Sequence, residues 1–152
     1  MLIALDTNIL VYAEGVAFLP GDVEKPVLVH GLLDALPADG VVLPTQVLGE
    51  LYRVLVGKAK RPVADARRAI MMWCDLYPQS DTTAAVMMAA IDLAADHKLS
   101  IWDAVVVSAA AEAGCRLLLS EDMQDGFVWR GLTVVNPFSS EPHPLLKALT
   151  GE

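Results

Sequence analysis

The chain has 152 residues, of which 55% are hydrophobic and 20% charged, so it fits one folded domain and not a disordered segment. Its 11 basic and 19 acidic residues give a formal net charge of −8, which excludes nucleic-acid binding through overall positive charge. The apolar stretches are too short to span a membrane, and no basic segment of a secretion signal precedes the first of them, so we expect a cytoplasmic protein.

The first predicted element is an apolar strand over residues 2–5, which ends at Asp6 and is followed by a helix beginning at Thr7 and Asn8. An unbroken apolar strand is typical of a parallel sheet covered on both faces, and such sheets bind ligands outside the carboxyl ends of their strands. Asp6 therefore lies where a site is expected. Aspartate is also a preferred helix cap, so this stretch alone leaves both interpretations open.

The next elements are a helix over residues 24–36, a short apolar strand over 41–43 and a helix over 46–58. Glu50 flanks the apolar face of the last of these helices. A glutamate in that position reaches solvent, pairs with a cation such as Arg53, or serves a site.

A cluster of positive charge surrounds the end of this helix. Six of the 11 basic residues fall between positions 51 and 68, where Asp65 is the only acid; they are Arg53, Lys58, Lys60, Arg61, Arg67 and Arg68. The cluster is either a local positive patch that binds a partner or a solvated helix face with its following turn.

Two further helices are predicted over residues 62–77 and 84–97, and a third begins where Ser100 precedes Asp103 by three positions. That third helix is almost uncharged as far as Gly114, which indicates burial between layers. Asp103 shares a face with its apolar residues and points inward. The capping pattern alone also accounts for this carboxylate.

A strand over residues 115–119 ends in Ser120, Glu121 and Asp122, so a strand followed by hydroxyl and carboxyl groups occurs a second time. A turn at Asp125 and a last strand over 132–135 follow. Residues 139–152 form a tail whose apolar run is too short to fold alone, and we expect it to be frayed or docked on a partner.

The alternation of strands and helices predicts an α/β fold, a three-layer α/β/α sandwich with a mainly parallel sheet of four to five strands, in one domain over residues 1–138. Right-handed crossovers bring the carboxyl ends of parallel strands to one edge. Asp6 and Asp122 then lie at that edge, and Glu50 and Asp103 lie within reach of it.

Four carboxylates that converge repel one another, by roughly 4 kcal/mol for a pair about 4 Å apart at an effective dielectric constant near 20. They need a cation or protons. An all-oxygen ligand set suits Mg²⁺ or Mn²⁺, and such ions activate water for phosphodiester hydrolysis. The sequence therefore predicts metal-dependent phosphodiester cleavage in which Asp6, Glu50, Asp103 and Asp122 hold the ions and orient the water.

Four motifs in this order carry a family resemblance: LDTN ending at Asn8, TQVLGEL around Glu50, WDA around Asp103 and LLLSED ending at Asp122. Through them, residues 2–138 resemble the PIN domain family, in particular the VapC-like toxin ribonucleases of toxin–antitoxin pairs. The resemblance implies a divalent-metal-dependent endoribonuclease in which those four acids are catalytic and bind the metal.

The resemblance also implies that Thr7, Asn8 and Ser120 support the site, that the protein is a homodimer, and that a cognate VapB-like antitoxin inhibits it by covering the acidic groove. Two features depart from the family pattern. Asp122 competes with Glu121 and Asp125 as the fourth acid, and we favour Asp122 because it follows Ser120 by two positions.

The second departure is the isoelectric point near 4.7, which leaves RNA affinity to the metal and to the basic patch. The candidate RNA-binding residues of this patch are Arg53, Lys58, Lys60 and Arg61.

Two other functions fit part of the pattern. A haloacid-dehalogenase-like phosphohydrolase uses an aspartate after its first strand as a covalent nucleophile, but it needs a second aspartate where this chain has Asn8. A catalytically silent PIN-like binding module keeps the acidic pocket only to engage a partner.

Overall fold

The computed structural model describes residues 1–151. Within them, six strands form one sheet: β1 (Leu2–Leu5), β2 (Val41–Pro44), β3 (Gln79–Ser80), β4 (Cys115–Leu119), β5 (Val128–Trp129) and β6 (Leu132–Val135). The same residues form seven α-helices: α1 (Thr7–Ala13), α2 (Lys25–Ala35), α3 (Thr45–Gly57), α4 (Val63–Leu76), α5 (Ala84–Asp96), α6 (Ile101–Glu112) and α7 (Pro144–Thr150).

The strand order is β3-β2-β1-β4-β6-β5, and every neighbouring pair is parallel except β5 and β6. This confirms the predicted α/β fold with a mainly parallel sheet. The sheet has six strands instead of four to five because β3 and β5 have only two residues each, too few to show a hydrophobic period.

Burial follows the pattern that the sequence indicates for the centre of the fold. Residues 3–5 of β1 and 117–119 of β4 are fully buried, as expected for central strands covered on both faces. Helix α6 is buried from Ala104 to Ala110 and packs against α5 and the sheet. Its nearly uncharged sequence is explained by this position.

The carboxyl-terminal tail differs from the expectation. In place of a frayed or partner-docked segment, α7 contacts α2 of the same chain, and Leu146 is buried in the core. His143 caps this helix by accepting a hydrogen bond from the backbone N–H of Leu145. The short apolar run is therefore stabilised by tertiary contacts that no local pattern reveals. No helix in residues 1–151 has the length and hydropathy required to cross a membrane.

Candidate active site

Asp6 lies at the carboxyl edge of the sheet because Leu5 of β1 pairs with Leu119 of β4. This register makes Ser120 its neighbour, and the Ser120 hydroxyl donates to Asp6 Oδ2 at 2.6 Å. Asp6 Oδ1 accepts from the backbone N–H of Thr7 at 2.8 Å, so Asp6 also caps α1. Asp6 therefore caps α1 and also lies at the sheet edge where a site is expected, and its side chain, only 4% exposed, is fixed at both oxygens.

Asn8 joins the ends of β1 and β4. Its Nδ2 donates to Asp6 Oδ2 at 3.2 Å and to Asp122 Oδ2 at 3.1 Å, while its Oδ1 accepts from the backbone N–H of Glu121 at 3.2 Å. The two carboxylates thus lie within hydrogen-bond distance of one nitrogen, although 114 positions separate Asn8 from Asp122.

Glu50 reaches the same edge from α3. Its Oε2 accepts from the Thr7 hydroxyl at 2.5 Å and its Oε1 from Gln46 Nε2 at 3.1 Å. Arg53, the cation considered as its partner, forms no ion pair with Glu50 or any other acid within residues 1–151. A neutral hydroxyl and an amide orient this glutamate.

Asp103 lies half-buried in the first turn of α6, where its backbone N–H donates to the Ser100 hydroxyl at 3.1 Å. This confirms the predicted serine cap. Burial raises the pKa of the Asp103 carboxyl, the Ser100 hydrogen bond lowers it, and the charges of Glu50 and Asp122 raise it further. Asp103 therefore takes part in the helix cap and also lies near the charges of Glu50 and Asp122.

The pKa of Asp6 depends on its burial, its hydrogen bonds and the neighbouring acids. Burial raises the Asp6 pKa to about 6, against the lowering effect of the Ser120 and Thr7 hydrogen bonds. The charges of Asp103 and Glu50 add to the increase. Within residues 1–151 none of the four carboxylates forms an ion pair with lysine or arginine. The cluster is therefore under-neutralised.

The three acids that follow β4 have different partners. Glu121 pairs with Lys25 and accepts from the Tyr12 hydroxyl at 2.6 Å, so its charge is already compensated. Asp125, the other candidate for the fourth acid, accepts from the backbone N–H of Asn136 at 2.8 Å and anchors the segment after β6. Asp122 is the one whose carboxylate accepts a hydrogen bond from Asn8.

Sequence reasoning did not identify Lys25 and Tyr12 beside this site. Tyr12 lies one helical turn after Asn8 on α1, and this spacing is a signal that could have been used. Lys25 begins α2, and its distance in sequence from Glu121 leaves no local signal.

The predicted RNA-binding residues have different surroundings. Arg61 donates to the Glu14 carboxylate at 3.0 Å and to the Glu14 carbonyl at 2.7 Å, so it links α1 to the end of α3. Lys58 Nζ lies 4.1 Å from the centroid of the Phe18 ring, and Lys60 has a positive φ of 58° in the turn after α3. Arg53 is exposed beside Glu50 and lines the same clefts.

The donor atoms of the four acids fit a hard divalent ion, since all are carboxylate oxygens. No group of three or more His, Cys, Asp or Glu side chains in residues 1–151 is arranged to hold a metal by itself. Mg²⁺ commonly keeps several waters and binds through one or two carboxylates plus substrate phosphates. The pair Asp6 and Asp122 therefore fits a hydrated ion and not a closed protein cage.

Comparisons with known proteins agree with this fold. A toxin–antitoxin complex from Klebsiella pneumoniae has a TM-score of 0.65 at 19% identity and covers 90% of this chain and 98% of that chain. VapBC2 from Rickettsia felis, bound to a DNA fragment from its promoter, has a TM-score of 0.65 at 17% identity. The match covers 88% of this chain and 97% of that chain. VapC20 from Mycobacterium tuberculosis, a sarcin-ricin loop cleaving toxin, has a TM-score of 0.60 at 18% identity. The match covers 76% of this chain and 86% of that chain.

At these identities the likeness to solved structures shows the fold alone, and no curated protein sequence matches the chain. The sequence model of the PIN domain, in contrast, matches residues 3–124, from β1 through the loop that carries Asp122. Because this match covers most of the chain and all four converging acids, the chain belongs to the PIN domain family.

Proposed function

We propose that this protein is a divalent-metal-dependent endoribonuclease and the toxin of a type II toxin–antitoxin pair. Its substrate is single-stranded or looped RNA. The observation that carries the proposal is the convergence of Asp6, Glu50, Asp103 and Asp122 at one sheet edge without an ion pair. Such a cluster attracts a cation strongly, and membership of the PIN family gives that cation a phosphodiester substrate.

Each acid of the site has a part in this chemistry. A bound Mg²⁺ or Mn²⁺ lowers the pKa of a water molecule and stabilises the leaving oxygen. Asp6 and Asp122 would hold the ion, with their carboxylates oriented by Ser120 and Asn8. Glu50 and Asp103 complete the negative field and accept hydrogen bonds from water.

Fixed orientation of these groups is part of catalysis. The Thr7 hydroxyl holds Glu50 and its backbone N–H holds Asp6, so one residue of α1 aligns acids from two different elements. Preorganised ligands avoid the cost of reorienting during the reaction. The buried position of Asp6 also limits the water that competes for its oxygens.

The partner assignments are part of the proposal. Two of the solved neighbours are toxin–antitoxin complexes, which supports a VapB-like antitoxin that covers the acidic groove. A neighbour described as a sarcin-ricin loop cleaving toxin supports a structured RNA loop as the substrate class. We further propose a homodimer that acts in the cytoplasm.

The phosphohydrolase alternative has no supporting observation in this site. The position of its second aspartate is held by Asn8, whose amide bridges Asp6 and Asp122 and carries no acid. The silent binding module retains the same geometry, so only an activity measurement separates it from the nuclease.

The decisive experiment measures cleavage of hairpin RNA by the full-length protein with Mn²⁺ or Mg²⁺. We expect Asp6→Asn and Asp103→Asn each to lower the rate by at least about a hundredfold, since each removes an ion ligand or a proton acceptor. Asp92→Asn is the matched control, because Asp92 is exposed on α5. It should cleave like the wild type.

A second readout is thermal stability. Mn²⁺ at about a hundred times its dissociation constant should stabilise the wild type by roughly 2.7 kcal/mol. The same Mn²⁺ concentration should stabilise Asp6→Asn much less. Cleavage that persists in excess chelator would refute the metal assignment. Failure of the folded, partner-free protein to cleave any RNA would favour the binding module.

A further inference from the structure

The three tryptophans of the chain have different surroundings. Trp73 is buried and stacks on Tyr77, and the Arg130 guanidinium lies 4.3 Å from the centroid of the Trp129 ring. Trp102 is 52% exposed and has neither an aromatic nor a cationic partner within residues 1–151. Its large apolar face is therefore partly open to solvent, at the position that precedes Asp103 in α6.

The Trp102 ring lines a cleft between α3 and the amino-terminal end of α6, with a volume of about 540 Å³. We name this the Trp102 cleft; its lining residues are Thr45, Gln46, Gly49, Glu50, Arg53, Thr82 and Trp102. Thr45 and Thr82 hydrogen-bond to each other, so the start of α3 is linked at this cleft to the segment before α5. Glu50 lines this cleft and is also one of the four acids, so the cleft is continuous with the acidic site.

Gly49 supplies a second, independent observation. It lies in the interior of α3, where glycine weakens a helix relative to other residues. A Cβ atom added to Gly49 would meet nothing within 4 Å, so no neighbour in the chain requires a glycine there. The missing side chain leaves α3 flat where it faces the Trp102 cleft.

The chemistry of the cleft walls selects the ligand. Arg53 is exposed and free of ion pairs within the described part of the chain, which suits a phosphate group. An open aromatic face beside a basic side chain is how proteins bind single-stranded nucleic acid. Hydroxyl and amide groups from Thr45, Gln46 and Thr82 make the remaining wall polar and not a groove for an apolar helix.

We propose that Trp102 stacks on one nucleobase of the RNA strand, next to the phosphodiester that is cut, with Arg53 on an adjoining phosphate. This inference rests on the proposed nuclease function. It assigns part of the RNA affinity to one aromatic side chain, in a protein whose net charge of −8 opposes RNA binding. It also makes the unpaired state of one base a condition for productive binding.

The test uses the inactive Asp6→Asn protein, a short single-stranded oligoribonucleotide and tryptophan fluorescence. RNA binding should quench the fluorescence; the quenching should be lost in Trp102→Phe and kept in Trp129→Phe. Trp102→Ala should weaken binding about tenfold or more, and Trp102→Phe should restore most of the affinity. In otherwise wild-type protein, Trp102→Ala should raise KM more than it lowers kcat.

Oligoribonucleotides with a single abasic site at successive positions supply the complementary test. One abasic position should reproduce the loss of affinity seen for Trp102→Ala, and that RNA should bind the wild-type and Trp102→Ala proteins equally. If every abasic RNA binds as tightly as the intact one, the ring serves another partner, such as a protein segment, and the proposal is wrong.

Gly49→Leu separates binding from stability. An exposed leucine in α3 should raise the Tm, because it is a better helix former than glycine, while blocking the cleft and weakening RNA binding. Gly31→Leu, at an equally open position of α2, should raise the Tm without changing RNA affinity. Equal RNA binding by both variants would contradict the approach of a base to α3.

The outcomes distinguish this inference from the function on which it rests. Wild-type protein that cleaves RNA while Trp102→Ala binds it unchanged would overturn the stacking and leave the nuclease intact. Quenching that depends on Trp102, in a wild type that cleaves nothing, would support stacking and reject the nuclease. Absence of any RNA binding would overturn both.

Discussion

Two groups of carboxylates lie side by side at the carboxyl edge of the sheet and differ in how their charge is compensated. In the first, the four acids Asp6, Glu50, Asp103 and Asp122 form no ion pair within the described residues. The second, the Lys25 cluster, contains Lys25, Asp22, Glu121 and Tyr12. There Lys25 pairs with Asp22 at 2.6 Å and with Glu121, and its Nζ lies 5.4 Å from the Tyr12 ring centroid.

The same physical effects act with opposite results in the two groups. Burial and like charges raise the Asp6 pKa, so its ionised form is disfavoured. Burial by itself would lower the Lys25 pKa, but the hydrogen bonds to Asp22 and Glu121 raise it above its ordinary value. Charge that the chain compensates internally stabilises the fold, whereas charge left uncompensated favours an external cation. The comparison therefore separates acids that are paired within the fold from the acids proposed to bind the metal.

The largest expected effect on stability concerns Asp6 in the metal-free protein. Its carboxyl has a pKa of about 6 in the folded state against an ordinary value of 3.8, so the folded state holds a proton that the unfolded state has lost between these pH values. The contribution of Asp6 to stability should therefore fall by about 3 kcal/mol as pH rises from about 4 to 6. In Asp6→Asn this component should disappear.

Denaturant unfolding at a series of pH values, with chelator present, measures this pH-dependent contribution of Asp6 to stability. Asp92→Asn, which changes an exposed acid on α5, should retain the wild-type pH dependence. A stability difference between the wild type and Asp6→Asn that stays constant from about pH 4 to 6 would contradict the raised pKa of Asp6.

The next effect tests the Lys25 cluster, where the loss of a negative charge should destabilise the fold. Glu121→Gln should lower the free energy of unfolding by about 1–2 kcal/mol, because it leaves Lys25 with only Asp22 as an ionic partner in a half-buried position. Glu121 precedes Asp122 directly, so we also expect cleavage to fall about tenfold through misplacement of that loop.

Chemical denaturation and the RNA cleavage assay provide these two numbers. Glu141→Gln, at an exposed position before α7, is the control and should change neither. Unchanged stability in Glu121→Gln would mean that the Lys25 cluster does not stabilise the fold.

The smallest effect extends the comparison to the basic residues. Arg53 has no acidic partner within the described chain, whereas Arg61 is held by Glu14. Arg53→Gln should therefore reduce the slope of log affinity against log salt concentration for RNA by about 0.7, the value for one phosphate contact on a single strand.

Arg61→Gln should leave that slope unchanged and lower the Tm instead, because it removes the link between α1 and the end of α3. Binding of a labelled oligoribonucleotide at several salt concentrations measures the slope. Equal slope changes in the two variants would restore the single basic patch that the sequence suggested.

Much of the fold and the site could be predicted because local sequence encodes it. Apolar strands followed at once by Asp6 and by Ser120 and Asp122 mark one edge of a parallel sheet, and the hydrophobic pattern of α6 indicates a buried helix. Hydrophobic period, helix caps and the direction of crossovers are properties of short segments or of chirality. They therefore act before any tertiary contact forms.

Tertiary structure alone decided which charges are compensated and which short segments are ordered. Glu121 and Asp122 are adjacent acids with the same local signal, but Glu121 meets Lys25 from 96 positions away and Asp122 meets Asn8. Likewise, β3 forms by pairing with β2, and α7 forms by packing against α2. An ion pair or a docked helix depends on partners brought together by the whole fold, so no window of sequence contains the information that specifies it.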